Sequence, residues 1–132
     1  MNSAACDGII QQLTFNQDGL IPAVAQQFDT GEVLMMAWMN AESIRETLQN
    51  NRVCYWSRSR SALWRKGESS GQVQMLKGFR IDCDADTLLL EVDQTGPACH
   101  TGRRSCFYRI VEDGQLLTDS EPLIDPKTLY GK

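Results

Sequence analysis

Carboxylates recur at every second position in Asp82-Cys83-Asp84-Ala85-Asp86. In an extended chain a period of two puts Asp82, Asp84 and Asp86 on one face and Cys83 on the other. Carboxylates crowded together repel unless a cation sits among them, and oxygen ligands suit a hard ion such as Mg²⁺. A solvated acidic turn is the plainer alternative. Downstream, Gly96-Pro97-Ala98-Cys99-His100-Thr101-Gly102-Arg103-Arg104-Ser105-Cys106 gathers two thiols and the chain's single imidazole in a glycine-punctuated loop. Thiolates are soft ligands that select Zn²⁺, and a site with three protein ligands leaves a fourth position for water. Cys83, Cys99 and Cys106 would make such a set. Their spacing lacks the paired Cys-x-x-Cys of a zinc ribbon, which argues against a closed four-cysteine site. His100 could be a ligand, a base or a hydrogen-bonded loop residue.

A third constellation is Ser57-Arg58-Ser59-Arg60-Ser61 followed by Trp64-Arg65-Lys66-Gly67-Glu68-Ser69-Ser70-Gly71. Arg52, Arg58, Arg60, Arg65 and Lys66 come with no acidic residue among them, in a chain whose net charge is −4. Guanidinium forks, hydroxyls and glycine-exposed amides are the donors from which phosphate sites are built, so the run points to a small anionic ligand. The alternative is a solvated basic loop.

These stretches need a scaffold. Ile21 to Phe28 and Glu32 to Met39 read as two strands joined through Asp29-Thr30-Gly31, a hairpin connection. Asn40 can cap a helix over Ala41 to Gln49 that buries Ile44 and Leu48, and Asn50-Asn51 ends it. Val53 to Ser57, Val73 to Asp82 and Thr87 to Val92 read as further strands, with Arg58 to Gly71 a loop between the first two. Ser105 to Val111 and Gln115 to Leu117 flank Asp113-Gly114, a two-residue hairpin signal. The first dozen residues are weakly patterned. The expected fold is α+β and mostly β, a strand-rich barrel- or sandwich-like core with few helices, rather than a doubly wound sheet.

With 132 residues and no repeat or linker, the chain is expected to form one domain over 1–132, with 1–12 and 118–132 peripheral. Hydrophobic residues at 42% and charged residues at 23% are ordinary globular composition and argue against disorder. No apolar run approaches the roughly 20 residues of a membrane-spanning helix, and the start lacks a secretory signal, so a cytoplasmic protein is expected, with no membrane partner. Thirteen basic against 17 acidic residues disfavour a nucleic-acid binder. Five cysteines cannot all pair within one chain, and in a reducing compartment they point to thiolate or metal chemistry. Cys6, in a loose terminus, and Cys54, in a strand, read as small buried or neutral thiols.

Taken together, Tyr55-Trp56-Ser57-Arg58-Ser59-Arg60, the Trp64 to Gly71 stretch, the run from Asp82 and the block from Gly96 through Phe107 resemble phosphoribosyl-AMP cyclohydrolase, an enzyme family of histidine biosynthesis. The resemblance runs from about Leu20 to Glu112. It implies that Asp82, Asp84 and Asp86 are Mg²⁺ ligands and Cys83, Cys99 and Cys106 are Zn²⁺ ligands. It also implies an intertwined homodimer whose zinc sites draw cysteines from both chains. The implied reaction is hydrolysis of the C6–N1 bond of N1-(5-phosphoribosyl)-AMP by a zinc-activated water, giving the formimino-aminoimidazole carboxamide ribonucleotide. His100 would move protons, and Ser57, Arg58, Ser59, Arg60, Trp64, Lys66, Ser69 and Arg103 would contact the substrate. Many relatives carry a pyrophosphohydrolase domain after this one; with the chain ending at Lys132, that activity is expected to be absent.

Two rival readings leave residues without a task. A zinc-dependent adenine deaminase also attacks C6, but its His-x-Glu and Pro-Cys-x-x-Cys motifs are missing here. A zinc-stabilised binding module would leave the clustered aspartates and the basic Ser/Gly run unused.

Overall fold

The computed structural model describes residues 1–130. Six strands form one curled sheet in the order β4-β3-β2-β1-β6-β5, where β1 is Ile21–Gln27, β2 Val33–Met39, β3 Cys54–Ser57, β4 Ala62–Arg65, β5 Gln74–Ile81 and β6 Leu88–Gln94. Neighbours are antiparallel except for β1 and β6, which run parallel from Ala23↔Leu88 to Gln27↔Val92. An antiparallel bridge between Arg52 and Met75 ties the segment entering β3 to β5, so the sheet curls back on itself as a half-barrel.

Alternation places the core. Along β1, Ile21, Ala23, Ala25 and Gln27 point inward, and along β6 so do Leu88, Leu90, Val92 and Gln94. Leu88, Leu90 and Val92 are wholly buried; truncating one such leucine to alanine costs about 2–5 kcal/mol. The helix α2, Ala41–Asn50, begins at an Asn40 capping box with Ser43 and ends at Asn51, whose φ of 56° closes it in the left-handed region. Its Ile44 and Leu48 are buried, and the Thr47 hydroxyl accepts the Cys54 amide at 2.9 Å, fastening the helix to β3.

Three local expectations are corrected. The amino terminus is not a loose segment: Ser3–Ile10 form helix α1, capped by Asn2, which buries Cys6 completely and holds α2 through Asp7–Arg45 at 2.6 Å. Arg58 to Gly71 is not wholly a loop, because Ala62–Arg65 pair with β3 as β4. The run Asp82 to Asp86 is not extended; it is the turn between β5 and β6, with Ala85 at φ 60°. The separation of Cys83 from the aspartates by strand alternation therefore does not hold. Cys6 and Cys54 are both buried free thiols.

Beyond the sheet, β7 (Arg109–Glu112) and β8 (Gln115–Thr118) form a separate hairpin around Asp113-Gly114, and α3 (Pro126–Tyr130) follows. Among the described residues no helix is long and apolar enough to cross a membrane.

Candidate active site

The loop after β6 is held from both sides. Ala98 and Cys99 donate their amides to the Arg104 and Arg103 carbonyls at 3.0 and 3.1 Å, which folds the loop into a narrow finger. Arg104 anchors it: its guanidinium reaches the Gln94 and Gly96 carbonyls at 2.9 and 2.7 Å and the Gln27 side chain at 2.8 Å. The Cys106 amide donates to the Leu34 carbonyl at 2.7 Å and the Ser105 hydroxyl to that of Val33 at 2.7 Å, pinning the far end of the loop to β2.

This clamping brings Cys99 and Cys106 side by side. Cys99 is buried, and Thr101 donates its hydroxyl to the Cys99 sulfur at 3.1 Å. Cys106 keeps an exposed face, yet the packing around its sulfur, and then Cys99, push its thiol up to about 12. Below it Tyr55 is fully buried and donates to Gln74 Oε1 at 2.7 Å; burial, then Cys106, raise its phenol above the ordinary range.

Lys66, just past β4, is 3% exposed and donates from Nζ to the Ala98 carbonyl at 2.7 Å. Burial lowers its basicity, while Cys106 and Cys99 act in the opposite direction. It borders a cavity of about 300 Å³ lined also by Arg60, Trp64, Ser69, Ser70 and His100. The exposed His100 and the basic stretch thus share one cavity with the thiol loop.

The other basic residues are divided. Ser57, Arg58 and Ser59 line an adjoining hollow of about 600 Å³ with Trp38, Trp56 and Trp64, and Arg58 lies 5.0 Å from the Trp38 ring centre. Trp64 borders both spaces. Arg65 is taken by Glu46 through two contacts at 2.7 and 2.8 Å. Arg103 stacks on Tyr108 at 4.1 Å and donates to the Ser120 carbonyl, so its charge serves the carboxy-terminal segment.

Cys83 and the aspartates lie elsewhere. They precede β6 and the thiol loop follows it; seven strand residues at about 3.3 Å each separate the two ends by roughly 20 Å. In the turn, Asp82 Oδ1 accepts the Asp86 and Thr87 amides at 3.0 and 3.2 Å, and exposed Cys83 donates to Asp84 Oδ1 at 3.3 Å. Local desolvation, then Asp82 and Asp84, raise the Asp86 carboxyl above the ordinary range, the repulsion a bound cation would relieve. Among the described residues of one chain, no three His, Cys, Asp or Glu side chains are grouped to hold a metal ion. Cys99 and Cys106 suit zinc in kind and fall short of its ligand number.

Residues 35–108 match the family model of phosphoribosyl-AMP cyclohydrolase. The chain belongs to the phosphoribosyl-AMP cyclohydrolase family. A phosphoribosyl-AMP cyclohydrolase of Rhodospirillum centenum is 61% identical over 100% of this chain and 99% of its own length. Those of Halorhodospira halophila and Granulibacter bethesdensis are 63% and 67% identical, covering 93% and 90% of this chain and 87% and 94% of theirs. In this cyclohydrolase family member, the sequence reading passed over Thr101 as a donor to a candidate ligand and Arg104 as the clamp of the ligand loop. Thr101 had a signal, a hydroxyl two residues after a candidate ligand; Arg104 had none, because its partners come from β1, β6 and the loop together.

Proposed function

We propose that the protein opens the adenine ring of N1-(5-phosphoribosyl)-AMP by hydrolysis of the C6–N1 bond, as a cytoplasmic enzyme of histidine biosynthesis. The single observation that carries this reading is the pairing of Cys99 with Cys106 in the loop whose His100 lines one cavity with Arg60, Lys66 and Ser69. Zinc held by thiolates supplies the Lewis acidity that makes a water nucleophilic near neutral pH. The residues of the chain do the rest. Arg58, Arg60 and the Ser69 hydroxyl orient the phosphates of the substrate, so that the electron-poor C6, activated by the substituent at N1, faces the thiol loop. The water oxygen bonds to C6, and the imidazole of His100 takes the proton released. As C6–N1 breaks, the same imidazole returns a proton to N1.

We further propose that the active unit is a homodimer whose zinc is completed by Cys83 of the partner subunit, with Mg²⁺ held at Asp82, Asp84 and Asp86. Two features support the shared zinc and the dimer. The β6 strand keeps Cys83 far from Cys99 and Cys106 within one chain. The β7–β8 hairpin exposes Ile110 and Leu117, paired in register, and Val111 and Leu116, paired next to them on the opposite face. An isolated two-stranded hairpin is marginal in water, and one that is apolar on both faces calls for a cover; a second copy would supply it.

Incubating the purified protein with N1-phosphoribosyl-AMP and following ultraviolet absorbance tests the reading. Ring opening that stops with a chelator and returns with zinc is the expected result; no ring opening with zinc present would overturn it.

A further inference from the structure

Among the described residues Lys66 is the most deeply buried cation, and it has no carboxylate partner there. It takes part in none of the ion pairs among the described residues, and its single side-chain hydrogen bond is to the Ala98 carbonyl. An ammonium taken out of water without a counter-charge is costly, and such a group persists where an anion is supplied. The groups near it that metal binding would turn into anions are the thiols of Cys106 and Cys99, the ionisable groups that act on it electrostatically. Its hydrogen bond also grips the peptide immediately before Cys99.

We propose that Lys66 is a positioning residue of the metal centre: a fixed buried cation that balances the cysteine thiolates and holds the Ala98–Cys99 peptide, rather than a contact for substrate phosphate. The inference rests on the zinc reading above. Three thiolates around Zn²⁺ leave one excess negative charge, which drains acidity from the metal relative to neutral ligands; one ammonium restores neutrality. The phosphate role falls to groups that face open space in the same cavity, since Arg60 and Ser69 are exposed where Lys66 is 3% exposed. Residues outside the ligand set that orient or charge-balance it typically change metal affinity 10- to 100-fold.

The test compares zinc affinity with the stability of the metal-stripped protein. Lys66→Met keeps the length of the side chain and removes its charge, and Lys66→Gln serves if the first variant does not fold. Both are titrated in the zinc-loaded form against a chromophoric chelator. The expected result is zinc released at a chelator concentration lower by at least about tenfold, while the metal-stripped variant melts no lower than the metal-stripped wild type, because it has lost a burdensome buried charge. Lys66→Arg, which keeps the charge, should hold zinc more tightly than either neutral variant. Unchanged zinc affinity with a raised KM would overturn the proposal and return Lys66 to phosphate binding. A parallel loss of zinc affinity and of metal-stripped stability would overturn it in favour of packing alone. A wild type that binds no zinc would remove the reading beneath it as well, a result distinct from the other two.

Discussion

The hydroxyl of Thr101 donates to the sulfur of Cys99 across 3.1 Å, inside the turn of one loop. That bond occupies one lone pair of the sulfur and fixes where the others point. Replacing Thr101 by valine keeps the shape and removes the donor. Zinc affinity should fall on the order of tenfold, with Thr101→Ser retaining most of it, as read by competition with a chelator.

His100 stands exposed on the cavity wall and makes no side-chain hydrogen bond among the described residues. His100→Ala should lower kcat by about 10²- to 10⁴-fold while zinc content and melting temperature stay near wild type. Loss of zinc together with turnover would reassign the residue as a ligand.

Separation of Cys83 from Cys99 by the length of β6 makes subunit exchange informative. Cys83→Ser and Cys99→Ser should each be inactive. When mixed so that subunits exchange, a heterodimer holds one intact site and one doubly broken site, so each heterodimer regains about half the activity of a wild-type dimer and a randomly exchanged equal mixture about a quarter overall. Continued inactivity after exchange, followed by native mass spectrometry, would locate each site within one chain.

Gly67 adopts φ +83°, and a Cβ there would lie 2.5 Å from the backbone of Gln72 and Val73. Gly67→Ala therefore meets both a left-handed conformation and an unyielding neighbour. Its cost should exceed the ~0.5 kcal/mol within which surface substitutions usually fall, measured by denaturant unfolding, and KM should rise because the residue lines the cavity.

Burial, then Glu46, push the Cys54 thiol up to about 12 from an ordinary value of 9.0. The folded state thus keeps a proton that the unfolded chain gives up. The stability this contributes is fully present below pH 9 and declines as pH rises toward 12. Melting curves between pH 8 and 11 should fall more steeply for the wild type than for Cys54→Ala.

What could be read from the residues was what local chemistry encodes. The Asp29-Thr30-Gly31 and Asp113-Gly114 connections, the Asn40 cap and the Asn51 stop each carry their own signal, and each stands where it was expected. Strand β4 was hidden because its four residues sit inside a Ser- and Arg-rich run and gain strand geometry only from pairing with β3. The Asp82 to Asp86 run shows how one pattern serves two conformations: aspartates at every second position suit a strand face, but Asp is also a turn former, and the Asp82 side chain caps the turn by accepting two amides. The burial of Lys66 was not legible, since neighbours distant in sequence enclose it.

The parallel pairing of β1 with β6 also has a bearing on synthesis. Ala23 meets Leu88, 65 residues later in the chain. At about 5–20 residues per second on the ribosome, one edge of β1 waits some 3–13 s for its neighbour, with Ala23, Ala25 and the facing side chains of β2 uncovered on the core side. Contacts this far apart slow folding. The nascent chain is therefore most prone to aggregate in the interval between the emergence of β2 and that of β6, before the thiol loop that follows β6 has emerged.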